Sequence, residues 1–175
     1  MPDIRITPLA DSPGITEALA DILIETVADG ASVTFMHPLA PEAARDFWRA
    51  SLAAAARGER VVLGAFDGAD LVATVTLVLQ CPPNQPHRAE IAKLMTRTSH
   101  RGRGIGSALM RAAEARAAAE GKTLIVLDTA ADGGASVFYE ALGYNFAGVI
   151  PDYAFKPHGG LSAARFYWKR PAAGA

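Results

Sequence analysis

Apolar residues recur every three or four positions in four segments of the chain, which is the spacing of one helix face. Proline at a first turn and glycine just past a last turn support the same boundaries. In the third segment we expect Leu109, Ala112 and Ala113 to pack inward and Glu114 to face solvent. The four predicted helices are Ile15–Val27, Pro41–Arg57, Ile105–Ala119 and Ala135–Leu142.

Runs rich in β-branched and aromatic residues occupy much of the remaining chain. Asp67-Gly68 between two such runs is a hairpin signal, and three prolines make residues 81–87 a loop. The predicted strands are Val61–Phe66, Leu71–Leu79, Ala89–Thr96, Thr123–Leu127, Tyr144–Val149 and Ala163–Trp168. This order of elements predicts the α/β (α+β) class, with one mixed sheet flanked by helices.

Composition narrows the classes of function. A chain of 175 residues suits a single domain, which we expect to span residues 1–175. The 17 basic and 18 acidic residues leave a net charge of −1, so no general attraction to nucleic acid or to a membrane surface is expected. The sequence shows neither a signal peptide nor an apolar run near the roughly 18 residues of a membrane span, which favours a cytoplasmic protein. Cys81 is the only cysteine, and we expect it to be inert.

A glycine-rich turn, Arg101 to Gly106, separates the predicted strand ending at Thr96 from the helix beginning near Ile105. Glycines let the backbone approach a ligand, and the first amides of a helix lack internal partners. A phosphate at such a terminus gains roughly 0.3 to 1 kcal/mol from the helix dipole. The turn lacks the Gly-Lys-Ser/Thr ending of a triphosphate loop and the spacing of the dinucleotide fingerprint. A phosphate site and a plain tight turn with two solvated arginines both remain open.

The turn matches an Arg/Gln-x-x-Gly-x-Gly/Ala motif, and Ala135 to Tyr144 matches an Ala-x-x-Phe-Tyr-x-x-x-Gly-Phe/Tyr motif. With both motifs in this order, the chain resembles the GNAT superfamily of N-acetyltransferases. The resemblance implies a single GNAT-type domain, with a coenzyme motif over about residues 89–120 and a second motif over about residues 123–145. It also implies a mostly antiparallel twisted sheet, a V-shaped splay between central strands, and acetyl-coenzyme A as co-substrate.

A closer resemblance, to the tabtoxin-resistance acetyltransferases of that superfamily, rests on four short segments. They are Glu25-Thr26-Val27, Gly30 to Met36, Arg88-Ala89-Glu90 and Lys93-Leu94-Met95. It implies an acceptor that is a small-molecule primary amine, either amino-acid-like or a β-lactam toxin. Two alternatives stay open: acetylation of a protein N-terminus or lysine, and a non-catalytic regulator that binds acyl-coenzyme A.

The resemblance also implies which residues hold the coenzyme. The backbone of Leu94, Met95 and Thr96 would lie along the pantetheine, and the Leu94 N–H would polarise the thioester oxygen. The amides expected around the pyrophosphate are those of Arg101, Gly102, Arg103, Gly104, Ile105, Gly106 and Ser107. Asp132 stands where many members carry an asparagine that contacts pantetheine, so that contact is left open.

Acetyl transfer requires a neutral amine, whereas an alkyl ammonium with a pKa near 10 is mostly protonated at neutral pH. Glu90 and Asp128 are the candidate bases, and Asp128 alternatively grips the substrate ammonium. A solvated glutamate and a turn aspartate are the structural alternatives. Tyr139 matches the family tyrosine that protonates the leaving thiolate, and we expect Phe138 to be the buried aromatic residue of that pair.

Two segments are expected to roof the acceptor site, Gly30–Leu39 and Pro151–Leu161. The substrate-binding candidates within them are Ser32, Phe35, Met36 and Tyr153; packing under a long loop is the alternative. His37 and His158 have no carboxylate or cysteine at ligand spacing, so no metal is predicted. Exposed final strands favour a homodimer.

Overall fold

The computed structural model describes residues 4–172. In chain order the elements are β1 (Ile4–Pro8), α1 (Pro13–Ala28), α2 (Pro41–Ala56), β2 (Arg60–Asp67), β3 (Asp70–Val78), β4 (Arg88–Thr96), α3 (Ile105–Ala119), β5 (Leu124–Ala130), α4 (Ala135–Ala141), β6 (Asn145–Phe155) and β7 (Leu161–Lys169). A short 3₁₀ turn over Thr98–His100 precedes the glycine-rich segment. The strands form one sheet in the order β1-β2-β3-β4-β5-β7-β6, in which only the β4–β5 pair is parallel. The predicted α+β class is confirmed.

The four helices lie where the apolar periodicity predicts them, and two features of the strands differ from the prediction. Strand β1 was not predicted because it has only five residues, and Pro8 weakens its pattern. Strand β6 continues past the predicted end at Val149 and reaches Phe155. It carries Pro151, which an edge strand tolerates because a missing amide there breaks no ladder bond to a second neighbour.

The helices cover both faces of the sheet. Helices α1 and α2 bury Leu23, Trp48 and Leu52 against one face. Helix α3 buries Leu109 and Ala113 against the other face, together with the aromatic residues that follow β5. Each core removes several large apolar side chains from water, at roughly 1.5 to 3 kcal/mol each. The sheet is therefore fixed from both sides around its central strands.

Glu114 of α3 does not face solvent as predicted. Its side chain is 14% exposed and accepts a 2.7 Å bond from Lys169 of β7. The ion pair joins α3 to the strand beside β5. A helical periodicity cannot show this, because the partner lies 55 residues away on another element.

Among residues 4–172, none of the helices combines the length and the apolar character that crossing a bilayer requires.

Candidate functional site

The central parallel strands separate soon after they meet. Strand β4 pairs with β5 only over Arg88–Glu90, opposite Leu124–Val126. Beyond Glu90 the two strands diverge, so the β5-facing backbone groups of β4 have no strand partner. Free backbone donors and acceptors along an open cleft are groups that an extended ligand with amides can pair with. The predicted V-shaped splay is present at this position.

A β-bulge in β4 shapes the wall of this cleft. Thr76 of β3 pairs with Ala92, whereas Thr74 pairs with Met95, so β4 carries one extra residue between these pairs. Lys93 lies within the bulge with φ +53°, a left-handed conformation that is uncommon for a lysine. Bulges redirect side chains and often occur beside active sites. Leu94 and Lys93 both line the cavity that opens between the strands.

The glycine-rich segment forms the turn between β4 and α3. Gly102 has φ +74° and Gly104, the residue that precedes α3, has φ +76°. No side chain caps the helix, and the first helical hydrogen bond is donated by Ala108 to Gly104. The amides of Ile105, Gly106 and Ser107 are therefore free to bind an anion.

The two arginines of the turn are held by ion pairs. Arg101 contacts Asp29 at the end of α1 at 2.5 Å, and Arg103 contacts Asp67 at the end of β2 at 2.9 Å. Much of their positive charge is thus offset by carboxylates. The two arginines therefore attach the turn to α1 and to the β2–β3 hairpin. The backbone amides at the start of α3 remain available to bind a ligand.

The cleft opens into a cavity of about 720 Å³ that brings together residues from distant parts of the sequence. Six of the predicted site residues line it: Ser32, Glu90, Leu94, Arg101, Asp128 and Tyr139. Both candidate bases and the candidate acid therefore share one cavity. Met95 is buried against α1 and α2 instead, as a backbone contact alone would allow.

Asp128 and Glu90 differ in their surroundings. Partial burial in the cavity raises the pKa of Asp128, and the negative charge of Glu90 raises it further, whereas Lys93 opposes the rise. Asp128 still contacts solvent. Glu90 accepts a 3.4 Å hydrogen bond from Arg88 two residues earlier on the same strand. The pair thus consists of one carboxylate with a raised pKa and a second that contributes to that rise.

Tyr139 is more deeply buried than predicted. It is 8% exposed, whereas Phe138 is only partly buried, which reverses the expected burial of the two rings. Tyr139 packs edge-on to Tyr144, with ring centroids 6.0 Å apart. Burial raises the pKa of Tyr139 to about 12, and the charge of Asp128 contributes. The phenol therefore stays protonated across the neutral range and keeps a proton that it can donate in a hydrogen bond.

The two segments expected to roof the acceptor site contact each other. The His37 amide donates a 2.9 Å hydrogen bond to the carbonyl of Pro157, in the turn between β6 and β7. The rings of His37 and His158 lie 4.5 Å apart, and His158 Nε2 is 3.0 Å from the carbonyl oxygen of Ala28. These contacts tie the loop after α1 to the β6–β7 turn, and residues 30–34 and Lys156 from these two segments line the cavity.

The remaining substrate-binding candidates lie beside the main cavity. Phe35, Met36 and Tyr153 line a neighbouring cavity of about 360 Å³, which shares Asp128 and Ser32 with the first. Met36 and Tyr153 are each 49% exposed, so this side is open to solvent. The predicted substrate residues thus surround the acidic end of the cleft.

Asp132 is engaged within the protein. Its carboxylate pairs with Lys156 and accepts a 3.0 Å hydrogen bond from the Ser162 hydroxyl, and the bond from Lys156 lowers the pKa of Asp132. This aspartate joins β7 to the chain before α4. A direct contact with a coenzyme would compete with these bonds.

In the described part of the chain, no group of three or more histidine, cysteine, aspartate or glutamate side chains has an arrangement that could hold a metal ion.

Lys93 is a cavity residue to which the sequence analysis assigns no role. The available signal was a charge inside the apolar run from Ile91 to Met95. Asp29 and Lys156 also line the cavity and were not predicted, because each reaches it through an ion pair to a residue distant in sequence.

Comparison with known proteins identifies a related family. The model of the acetyltransferase (GNAT) family matches residues 23–144. Among solved structures, an N-acetyltransferase from Staphylococcus aureus Mu50 is 18% identical, with a TM-score of 0.79 over 95% of this chain and 98% of that one. The structure of yncA from Salmonella typhimurium with its cofactor acetyl-CoA is 16% identical, with a TM-score of 0.78 over 97% and 96%. RimL, a ribosomal L7/L12 α-N-protein acetyltransferase in complex with coenzyme A, is 16% identical, with a TM-score of 0.80 over 97% and 96%.

Proposed function

Because the chain belongs to the acetyltransferase (GNAT) family, it is an acyltransferase, and we propose that it transfers the acetyl group of acetyl-coenzyme A to a primary amine on a small molecule. The observation that carries the proposal is the single cavity shared by Glu90, Asp128 and Tyr139, at the end of a cleft with a free backbone edge. It offers an anion-binding helix terminus, acidic groups for an ammonium, and a phenol for the leaving group.

The coenzyme lies along the cleft in this proposal. Its pyrophosphate binds the free amides at the start of α3, and its pantetheine pairs with the β4 backbone beyond the bulge. The Leu94 amide then donates to the thioester oxygen and stabilises the negative charge that develops there. The yncA and RimL structures, which hold acetyl-CoA and coenzyme A, support this assignment because they share the fold.

Asp128 takes the proton from the acceptor ammonium. Its raised pKa makes it a stronger base than an ordinary aspartate, and Glu90 contributes to that pKa through its charge. The neutral nitrogen attacks the thioester carbon, a C–N bond forms, and the C–S bond then breaks. Glu90 thus acts mainly on Asp128 and on the binding of the ammonium.

Tyr139 stabilises the departing thiolate by donating a hydrogen bond. Its pKa of about 12 disfavours complete transfer of the phenolic proton, since the conjugate acid of a thiolate has a pKa near about 8.5. The nitrogen of the tetrahedral intermediate, which must lose a proton, is the stronger acid. The departing sulfur can take that proton through Tyr139, whose hydroxyl gives its own proton to sulfur as it receives the proton from nitrogen, so that no phenolate forms.

A small acceptor suits the walls of the site. The loop after α1 and the β6–β7 turn are joined by a backbone hydrogen bond and both contribute residues to the cavity, which is a concave site of the kind that small molecules occupy. An amino-acid-like amine or a β-lactam toxin fits the resemblance to tabtoxin-resistance acetyltransferases, and a detoxifying role would follow. Acetylation of a protein N-terminus is the second candidate, favoured by the shared fold of RimL.

Release of free thiol from acetyl-coenzyme A tests the proposal. The assay uses a panel of small primary amines, amino acids and short peptides with free N-termini, and calorimetry measures coenzyme binding separately. We expect turnover with small amines and little with peptides. Turnover with peptides alone would establish the protein-directed alternative. Coenzyme binding without turnover on any amine or peptide would establish a non-catalytic regulator.

A further inference from the structure

Lys93 lines the main cavity together with Glu90 and Asp128. The chain has four lysines, and each of the other three is engaged. Lys156 and Lys169 form ion pairs, and Lys122 donates to two backbone carbonyls. Lys93 has no hydrogen-bond or ion-pair partner among residues 4–172, although its residue is only partly exposed.

This position is costly for a charge that has only a structural role. A partly buried ammonium loses hydration, and no hydrogen bond or ion pair within residues 4–172 replaces it; the Phe47 ring centroid lies 5.6 Å from Lys93 Nζ, and Asp128 and Glu90 act on it only at longer range. Burial accordingly lowers the pKa of Lys93. The backbone is strained as well, since Lys93 adopts φ +53° within the bulge. Unpartnered charge together with strain indicates a functional position.

A second cation lies on the same side of the sheet as Lys93. On the same side of the sheet, Trp48 Nε1 and Arg60 Nε are buried donors without partners in the described chain, and the Trp48 ring lies 5.0 Å from that of Phe47. The positive charge of Arg60 reaches Lys93, as its effect on the Lys93 pKa indicates. Arg60 therefore adds positive charge to the surroundings of Lys93, which favours an anion there.

Asp128 and Glu90 line the same cavity as Lys93, and their negative charges favour an ammonium rather than an anion. Both carboxylates attract Lys93, but neither lies within ion-pairing distance of it, so the positive and negative groups remain separate. An acceptor that carries only positive charge is repelled by Lys93. An acceptor that carries a carboxylate beside its amine is attracted at both ends.

We propose that Lys93 binds a carboxylate of the acceptor and thereby makes the enzyme selective for amines that carry a carboxylate close to the amino group. The inference rests on the proposed small-molecule acetyltransferase function and adds the residue that sets its specificity. Lys93 contacts the acceptor away from the reacting nitrogen, so it acts on acceptor affinity more than on the chemical step.

Pairs of amines that differ only in a carboxylate test this selectivity. Suitable pairs are L-lysine with cadaverine, L-ornithine with putrescine, and L-phenylalanine with 2-phenylethylamine. Thiol release by the wild-type enzyme should give a kcat/KM about 10- to 100-fold higher for the carboxylate-bearing member, the size of one charge-assisted hydrogen bond. Equal values, or a preference for the decarboxylated amine, would overturn the inference while leaving the acetyltransferase function standing.

Three variants locate the selectivity. Lys93→Met should raise the KM of the carboxylate-bearing amines and bring the ratio within each pair close to one, whereas Lys93→Arg should retain most of the ratio. Arg111→Met is the matched control, because Arg111 is an exposed cation on α3 outside both cavities. Circular dichroism and thermal melts confirm folding, and the wild-type ratios stand even if a Lys93 variant does not fold.

Two further outcomes are informative. Lys93→Met could keep the ratio and move the ascending limb of the pH profile to higher pH for both members of each pair. Lys93 would then only lower the pKa of Asp128, and the inference would be wrong. Absence of turnover on every amine and peptide would reject the proposed function and this inference together.

Discussion

At the scale of single residues, the site depends on how the fold changes the ionisation of a few side chains. Asp128 and Tyr139 line one cavity, and burial raises the pKa of both. A raised pKa makes Asp128 a better proton acceptor and keeps the Tyr139 phenol protonated. The same physical cause therefore suits the two residues to opposite tasks.

Glu90→Gln should move the pH profile of kcat/KM toward lower pH. The rate rises as Asp128 loses its proton, and the charge of Glu90 raises that pKa, so removing the charge lowers the pH at which the rate rises. Asp128→Asn should remove this limb and lower turnover by about 100-fold. The measurement is the pH profile of kcat/KM for the wild type and both variants. The same amine is used throughout, so that its own ionisation contributes equally to every profile. Loss of the limb in Glu90→Gln alone would instead identify Glu90 as the base.

Tyr139→Phe should lower the turnover number by about 100-fold with little change in the coenzyme dissociation constant, because the hydroxyl acts only once the thiolate forms. Tyr144→Phe is the matched control, since its ring packs 6.0 Å from that of Tyr139 but does not line the cavity. Single-turnover kinetics and calorimetry supply the two readouts. If Tyr139→Phe kept a turnover number within a factor of three of wild type, Tyr139 would have only a packing role and would not act on the thiolate.

At the scale of elements, the turn before α3 exposes backbone amides rather than side chains to a ligand. Its arginines are held by Asp29 and Asp67, and its glycines adopt left-handed conformations at Gly102 and Gly104. The unpaired edge of β4 continues this surface along the cleft. Backbone groups therefore supply most of the expected coenzyme contacts, and we expect side-chain identity at Leu94, Met95 and Thr96 to matter little for coenzyme binding.

Gly104→Val should raise the coenzyme dissociation constant at least about tenfold, because a side chain beside the free amides obstructs the phosphates. Gly121→Val is the control for strain. Both glycines have φ above +70° and no atom within 4 Å of an added Cβ, but Gly121 lies at the opposite end of α3. Both variants should lose roughly 1 to 2 kcal/mol of stability in thermal melts. Only Gly104→Val should weaken binding in calorimetry, and equal affinities would contradict the phosphate assignment.

At the scale of the whole molecule, the β6–β7 edge of the sheet is exposed and apolar. Phe146, Val149 and Ile150 of β6 are each between 46% and 49% exposed, and the strand has a neighbour on one side only. Long apolar edge strands are rarely left uncovered, because they invite pairing with another chain. This edge supports the expected homodimer, which we propose forms through β6.

The wild-type protein should elute with twice its chain mass of 18.3 kDa in size-exclusion chromatography with light scattering. Val149→Lys should shift it toward the monomer, because a charge on the apolar edge opposes burial. Val137→Lys is the control, since Val137 is a 75% exposed valine on α4 and lies off the edge. A monomeric wild type, or equal effects of both substitutions, would reject the β6 interface.

Local pattern by itself determined the four helices, most strands and the glycine turn, because helical spacing and turn residues are properties of neighbouring positions. The family resemblance also selected Glu90 and Tyr139, and a position at a predicted strand end selected Asp128; the fold places all three in one cavity. Their roles remain predictions. What local pattern could not supply was any feature that depends on which distant residues meet.

Tertiary structure alone decided several properties of the site. The raised pKa values of Asp128 and Tyr139, the ion pairs of the turn and the burial of Glu114 each depend on residues distant in sequence. The lack of an ion-pair partner for Lys93 within residues 4–172 is of the same kind, because it depends on which distant residues surround the side chain. Burial and charge pairing are sums over three-dimensional neighbours, whereas a sequence pattern reports only those along the chain.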